Sequence, residues 1–216
     1  MADGLSVRKT AARMDISVQK AFRWRHRFLD FLNQQKPSAL AGIVEVDETF
    51  FPVSYKGQRS GLPRTPKKRG GKAKDGAGTD KTAVVVAVQR GTRVVFDQVL
   101  ERATGAELTE ALRPVLGTDA VLSTDVNAAY WTVAEQLNVE SGYFVSQYHG
   151  KGGHGPWHVQ SVNRYDYSLK SWMKRFRGVA TKYLANYLGW RRLLDRFKDQ
   201  LTHEQFMFHA LRTSYQ

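Results

Sequence analysis

Two acids close apolar runs that lie far apart in this chain. IVEVDETFF, residues 43–51, carries Asp47 among apolar and β-branched residues, and AVLSTD, residues 120–125, stops on Asp125. Burying an unpaired carboxylate costs several kcal/mol, so Asp47 calls for a cation. If the two runs are neighbouring strands, their carboxylates approach and repel, and a divalent metal between them removes the conflict. If they are not neighbours, these are two unrelated strand-end acids. A third segment bears on the choice. In HVQSVNRYDYSLKSWMKRF, residues 158–176, Val162, Tyr165, Leu169, Trp172, Met173 and Phe176 recur at three and four and mark a buried helical face. Asn163, then Asp166 or Tyr167, then Lys170 and Lys174 share another face. Asn163 and Lys170 are two turns apart, about 10.5 Å along the axis. A metal-reaching oxygen is followed on one side by a cation suited to a phosphate, and the chemistry in view is metal-assisted work on phosphate. The chain has no cysteine, so the metal would be held by oxygen or imidazole, and hard divalent cations are favoured.

The elements that must position these residues follow from periodicity. SVRKTAARM (6–14) and VQKAFRWRHRFLDFLNQ (18–34) read as two helices around the break DIS, with Ser17 placed to cap the second. The second carries an apolar stripe through Phe22, Arg25 or His26, and Leu29, beside a basic stripe of Lys20, Arg23 and Arg27. The pair is either a helix-turn-helix or an amphipathic hairpin packed on the main domain. From Ile43 the pattern turns to strands at 43–51, 81–90, 93–100 and 120–125, with a helix at 104–116 before the last. Helices are then predicted at 128–138, 158–176, 181–197 and 202–213, with a short strand at 142–149. The result is an α/β domain with a mixed sheet. At 216 residues and 42% hydrophobic, it can bury one good core and a small appended unit. Its longest apolar run, AVVVAV, is far short of the roughly 20 residues that span a bilayer, and a soluble, cytoplasmic protein is expected.

Net charge is +13, and most of the 33 Lys and Arg fall in residues 1–36, 55–81 and 164–198. Clustering of this kind points to nucleic acid, because each phosphate neutralised releases counterions. The stretch 55–81 is rich in Gly, Pro and basic residues and reads as a flexible basic insertion. Its GGK is no phosphate loop, since Pro66 stands where the first Gly belongs and Ala73 replaces the magnesium-binding Ser or Thr. HGKGGHGPWH (149–158) has three histidines, but its glycines make it a loop, in which Trp157 is free to stack on an unpaired base. HEQFMFH (203–209) lacks the HExxH spacing of a zinc protease.

VEVDETFF, the strand-ending TD at Asp125, HVQSVN leading into YSLK, and above all RFRGVATKYLANYLGW (175–190) resemble the DDE-type transposases of bacterial insertion sequences, specifically the ISXO-like group. The resemblance runs from LSVRKTAARMDIS to Arg192. It implies an RNase H-like mixed sheet flanked by helices over 43–200, a partial helix-turn-helix DNA-binding unit over 1–36, and a C-terminal helix within 201–216. It also implies a site in which Asp47, Asp125 and Asn163 hold magnesium, with manganese as the alternative, and Lys170 holds a phosphate. Asp166 is the substitute ligand, because Asn163 offers only a neutral oxygen, and His158 is a candidate contact to DNA or the site. Implied DNA contacts are Lys20, Arg23, Arg27, Lys67, Lys68, Arg69, Lys72, Lys174, Arg175 and Arg177. The implied activity is cleavage and strand transfer of transposon DNA by a homo-oligomer. Against the family's usual zinc ribbon and complete helix-turn-helix, the chain is expected to be an N-terminally shortened copy. The competing expectation is a remnant that binds DNA without cutting it.

Overall fold

In the computed structural model the described residues are 4–58, 60–63, 80–92, 94–144 and 155–211. Two helices come first. Ser6 caps α1 (Val7–Arg13), accepting from the Lys9 N–H at 3.3 Å, and Ser17 caps α2 (Val18–Gln34), accepting from the Lys20 N–H at 3.1 Å. Each hydroxyl satisfies one of the donors that a first helical turn leaves over.

The sheet has five strands in the order β3-β2-β1-β4-β5. β1 (Ile43–Pro52), β2 (Lys81–Gln89) and β3 (Val95–Leu100) pair antiparallel, while β4 (Val121–Asp125) lies parallel to β1 and β5 (Glu140–Phe144) parallel to β4. Parallel neighbours need crossovers, and these are α3 (Gly105–Leu112), which leads into β4, and α4 (Ala128–Leu137), which leads into β5. Three antiparallel strands followed by two parallel ones reached through helices form the mixed sheet of the α/β domain that the periodicity predicted. After β5 come α5 (Gln160–Lys174), α6 (Leu184–Phe197) and α7 (His203–Leu211). α3 is shorter than its sequence pattern. It stops at Leu112, with Arg113 still in helical geometry as the cap, because Pro114 has no N–H to continue the ladder.

A core lies on each face of the sheet. Val44, Val46, Val85, Ala87, Phe96 and Leu122 pack with Leu108, Leu112, Tyr130 and Val133 of α3 and α4. On the other face Val84, Val86 and Val88 meet Val162, Tyr165, Leu169 and Trp172 of α5 and Leu188, Trp190 and Leu193 of α6. The helical face predicted for α5 is therefore the buried one, with Phe176 partly buried at its edge.

The N-terminal helices join this second core. Leu29 and Leu32 of α2 are buried with Trp190, and Arg25, which the apolar stripe includes, is only 2% exposed. Its guanidinium donates to the Leu5 carbonyl at 2.6 Å and to Thr10 Oγ1 at 3.0 Å, and lies 5.2 Å from the Trp190 ring centre. Lys20, Arg23 and Arg27 remain exposed on the other side of α2. A second tie is the buried Asp97 on β3. Its carboxylate accepts from Arg192 of α6 and from the Tyr165 hydroxyl at 3.1 Å, while Arg192 also donates to the Asn33 carbonyl at 3.0 Å at the end of α2. Among the described residues no helix is long and apolar enough to cross a membrane.

Candidate active site

Side chains alternate along a strand, and that alternation sorts the acids of β1. Glu45, Asp47 and Thr49 point to the face covered by α5, whereas Glu48 sits with Val46 and Phe50 on the face covered by α3 and α4. β1 and β4 are in register from Ile43 opposite Val121 to Val46 opposite Thr124. One step further along that register Asp125 stands beside Asp47. Adjacent strands are separated by about 4.8 Å, so the two carboxylates repel, and the charge of Asp125 is the second cause, after burial, that raises the Asp47 carboxyl from 3.8 to about 6. Burial raises Asp125 as well. The two strand-end acids thus belong to one place.

α5 crosses this corner and brings two more charged groups. Asp166 is buried, 7% exposed, and its carboxyl is raised from 3.8 to about 7 by burial and then by Asp47. Lys170, one turn on and exposed, acts on both Asp47 and Asp166 in the opposite direction. Asn163 lies in the first turn of α5 and is exposed. On the other face of β1, Glu48 is raised to about 7, mainly by burial, with the Tyr130 side chain close by and the charges of Asp47 and Asp125 adding to the shift.

Glu45 is the member of this strand with a structural task. α5 has no side-chain cap at Val159. The Glu45 carboxylate does that work from β1, accepting from the backbone N–H of Ser161 at 2.6 Å, the backbone N–H of Val162 at 3.2 Å and the Ser161 hydroxyl at 3.0 Å. Arg90 Nε donates to it at 2.8 Å, and His158 Nδ1 lies 3.3 Å away. Ser123, opposite Glu45 on β4, donates its hydroxyl to the His158 carbonyl at 2.8 Å. β1, β4 and Arg90 just past β2 therefore all hold the start of the helix that carries Asn163, Asp166 and Lys170. His158 belongs to this anchor. The spacing of the sequence contained the signal for Glu45, because an acid two positions before Asp47 must share its face.

The remaining site residues fall at three places. Lys174, Arg175 and Arg177 are exposed at and beyond the end of α5, with the Arg175 guanidinium 5.8 Å from the Trp172 ring centre. Lys20, Arg23 and Arg27 are on α2. Lys67, Lys68, Arg69 and Lys72, and the histidines at 149 and 154, lie outside the described residues. Trp157 packs on Gly142 of β5, so closely that a Cβ there would come within 2.1 Å of the indole.

A hard divalent cation fits the corner. Oδ1 of Asp166 is a buried oxygen without a hydrogen-bond partner among the described residues, and the Asp47 and Asp166 carboxyls are held above their ordinary range by burial and mutual charge. Among the described residues no three His, Cys, Asp or Glu side chains form a ready metal cage. Asp47 and Asp125 would be two ligands of a set that needs a further oxygen.

The model of the ISXO2-like transposase domain matches residues 39–191. A curated relative, described as an uncharacterized protein in transposable element ISH50 of Halobacterium salinarum, is 29% identical over 188 residues, covering 85% of this chain. The chain spans 62% of that relative's length. Among solved structures, a chain of the simian T-cell lymphotropic virus intasome in complex with the PP2A regulatory subunit B56 gamma aligns over 82% of this chain and 56% of its own, at 14% identity and a TM-score of 0.45. The catalytic core domain of BIV integrase aligns over 81% and 98%, at 15% identity and a TM-score of 0.41. A chain of the pre-cleavage Mos1 transpososome aligns over 97% and 75%, at 13% identity and a TM-score of 0.32. With the family match extending from the bridge before β1 into α6, and so over every element of the carboxylate corner, the chain belongs to the ISXO2-like transposase family.

Proposed function

We propose that this chain cleaves and joins DNA, freeing the 3′ ends of an insertion sequence and transferring them to a target duplex. The observation that carries the reading is the register of β1 and β4, which sets Asp47 beside Asp125 on the face crossed by α5. Two strand-end carboxylates held together against their own repulsion are a costly arrangement that a divalent cation relieves.

Asp47, Asp125 and Asn163 would hold the cation, with Asp166 the substitute for Asn163 one turn deeper. When bound, magnesium or manganese supplies charge that lowers the pKa of the attacking hydroxyl and stabilises the leaving oxygen of an in-line displacement. The protein's own contribution is placement. Glu45 fixes the start of α5 on β1, so the helix ligands and the strand ligands keep one geometry. Lys170, exposed on the same side, draws a phosphate toward the acids and offsets part of their charge. In the first step the oxygen of water bonds to phosphorus and the 3′ oxygen leaves. In the second the freed 3′ hydroxyl attacks a phosphodiester of the target, whose own 3′ oxygen departs. Lys20, Arg23, Arg27, Lys174, Arg175 and Arg177, and the basic stretch holding Lys67, Lys68, Arg69 and Lys72, would track the backbone, where contacts position the duplex without reading its sequence. Joining two ends calls for more than one copy of the chain, working at the nucleoid in the cytoplasm.

A nicking assay on duplex carrying transposon ends, with magnesium or manganese, tests the reading. The parent is expected to cut, with Asp47→Ala and Asp125→Ala losing cleavage by several orders of magnitude. Equal cutting by both variants would remove the assignment. Salt-sensitive binding by a parent that never cuts would leave the DNA-binding remnant, a reading favoured by the neutral Asn163.

A further inference from the structure

We infer that a second nucleic-acid backbone docks in a basic cleft on the far side of α5 from the carboxylates. The cleft, of about 810 Å³, is bounded by Arg164 of α5 and Arg175 just past its end, Arg191 of α6, Lys198 just beyond that helix, and Thr92 from the turn after β2. Among the described residues lining it, four cations face one acid, Asp195, which is itself paired with Arg191 at 3.2 Å.

Two of the guanidinium groups are held in advance. Arg191 donates to Ser168 Oγ at 2.7 Å as well as to Asp195, and its Nε is buried with no acceptor among the described residues. Arg175 lies along Trp172, where Gly4 makes room for it: a Cβ there would come within 2.7 Å of the guanidinium nitrogen. Arg164 and Lys198 are exposed and form no ion pair with a described residue. Planar donor groups fixed at the wall of an open cleft, with serine and threonine hydroxyls among them, suit successive phosphate oxygens of a nucleic-acid strand. A cleft of this make-up in a chain of net charge +13 is a backbone site and not a base-reading one.

The placement makes it a separate site. At 3.6 residues per turn, Arg175 is about 180° around α5 from Asp166, and Ser168 about 200°. Arg164, Ser168 and Arg175 thus face away from Asp166, so the helix presents one phosphate-binding side to the strand being cut and another to a second length of DNA. The inference rests on the DNA-processing reading above.

The full chain is tested by fluorescence anisotropy with a labelled random duplex over a salt series. Arg164→Ala combined with Lys198→Ala, two exposed positions, is expected to lower the slope of log affinity against log salt by about 0.9 for each phosphate the protein no longer neutralises, and Arg164→Lys is expected to keep its share. Because the parent has no cysteine, Thr92→Cys carrying a photocrosslinker gives a second measurement, expected to capture the duplex in a salt-sensitive manner. An unchanged slope, or a Thr92→Cys protein that binds duplex without crosslinking to it, overturns the cleft. So does displacement of the crosslink by an acidic peptide but not by duplex. A parent that binds no DNA at all removes the functional reading together with the cleft, whereas a parent that binds and cuts while the double variant keeps its slope removes the cleft alone.

Discussion

The Glu45 carboxylate accepts the Ser161 backbone N–H at 2.6 Å, across 116 positions of sequence, and in doing so fastens the first strand of the sheet to the first turn of α5. A fully buried carboxylate that satisfies two helix N–H groups, one hydroxyl and Arg90 is the hinge pin between the strand that carries Asp47 and the helix that carries Asp166. Glu45→Gln keeps the shape but loses the charge beside Arg90 and the helix N-terminus. It is expected to destabilise the protein by about 3 kcal/mol, in the range for breaking a buried pair, as read from urea unfolding midpoints.

The carboxylate corner makes a pH prediction. Asp47 moves from 3.8 to about 6, Asp166 from 3.8 to about 7 and Glu48 from 4.5 to about 7. These are raised acids, so between the unfolded and folded values the native state holds protons that the unfolded chain has released, and stability falls as pH rises. The contribution of the cluster is full below about pH 4, is lost between about pH 4 and pH 7, and is level above. In metal-free buffer the thermal midpoint should fall over that window. Magnesium or manganese should raise it at pH 8, where the carboxylates are ionised. Asp166→Asn should be more stable than the parent at pH 8 without metal and should show a flatter pH profile. A parent midpoint that climbs from pH 4 to pH 7 without metal would contradict the arrangement.

Gly189 sits where α6 meets α2, and a Cβ there would come within 2.6 Å of the Asn33 nitrogen and the Leu32 carbonyl. Gly to Ala inside a helix ordinarily stabilises by roughly 0.5–1 kcal/mol. Here the neighbour is backbone that cannot swing aside, so the sign reverses. Gly189→Ala is expected to cost about 1–3 kcal/mol, measured by chemical denaturation.

Asp97 and Arg192 form a buried pair that links β3, α6 and the carbonyls ending α2. Burial raises the Asp97 carboxyl, and Arg192 is the largest influence opposing that shift. Removing one partner strands the other charge, so Asp97→Ala and Arg192→Ala are each expected to cost about 3–5 kcal/mol. The double variant should cost less than the sum, and the coupling from a double-mutant cycle measures the pair.

Periodicity and composition carried much of this protein. The run of acids and apolar residues at 43–51, the buried stripe of α5 and the Ser17 cap of α2 were legible because each is a local pattern, set by side-chain alternation, the helical repeat or the first free N–H groups. The convergence of Asp47 with Asp125 was legible only as a condition, that their strands be neighbours. The parallel register of β1 on β4 met it. Other features had no local signature. That Glu45 caps α5, that Asp166 is buried beside Asp47 while Asn163 stays exposed, that α2 packs into the same core as Trp190, and that Trp157 covers Gly142 all depend on which segments meet in space. Sequence spacing fixes which face of an element a residue occupies. What that face meets is decided by the packing of helices on the sheet, where the balance between burial and charge determines which acids are satisfied, as Glu45 is, and which are held above their ordinary range, as Asp47 and Asp166 are.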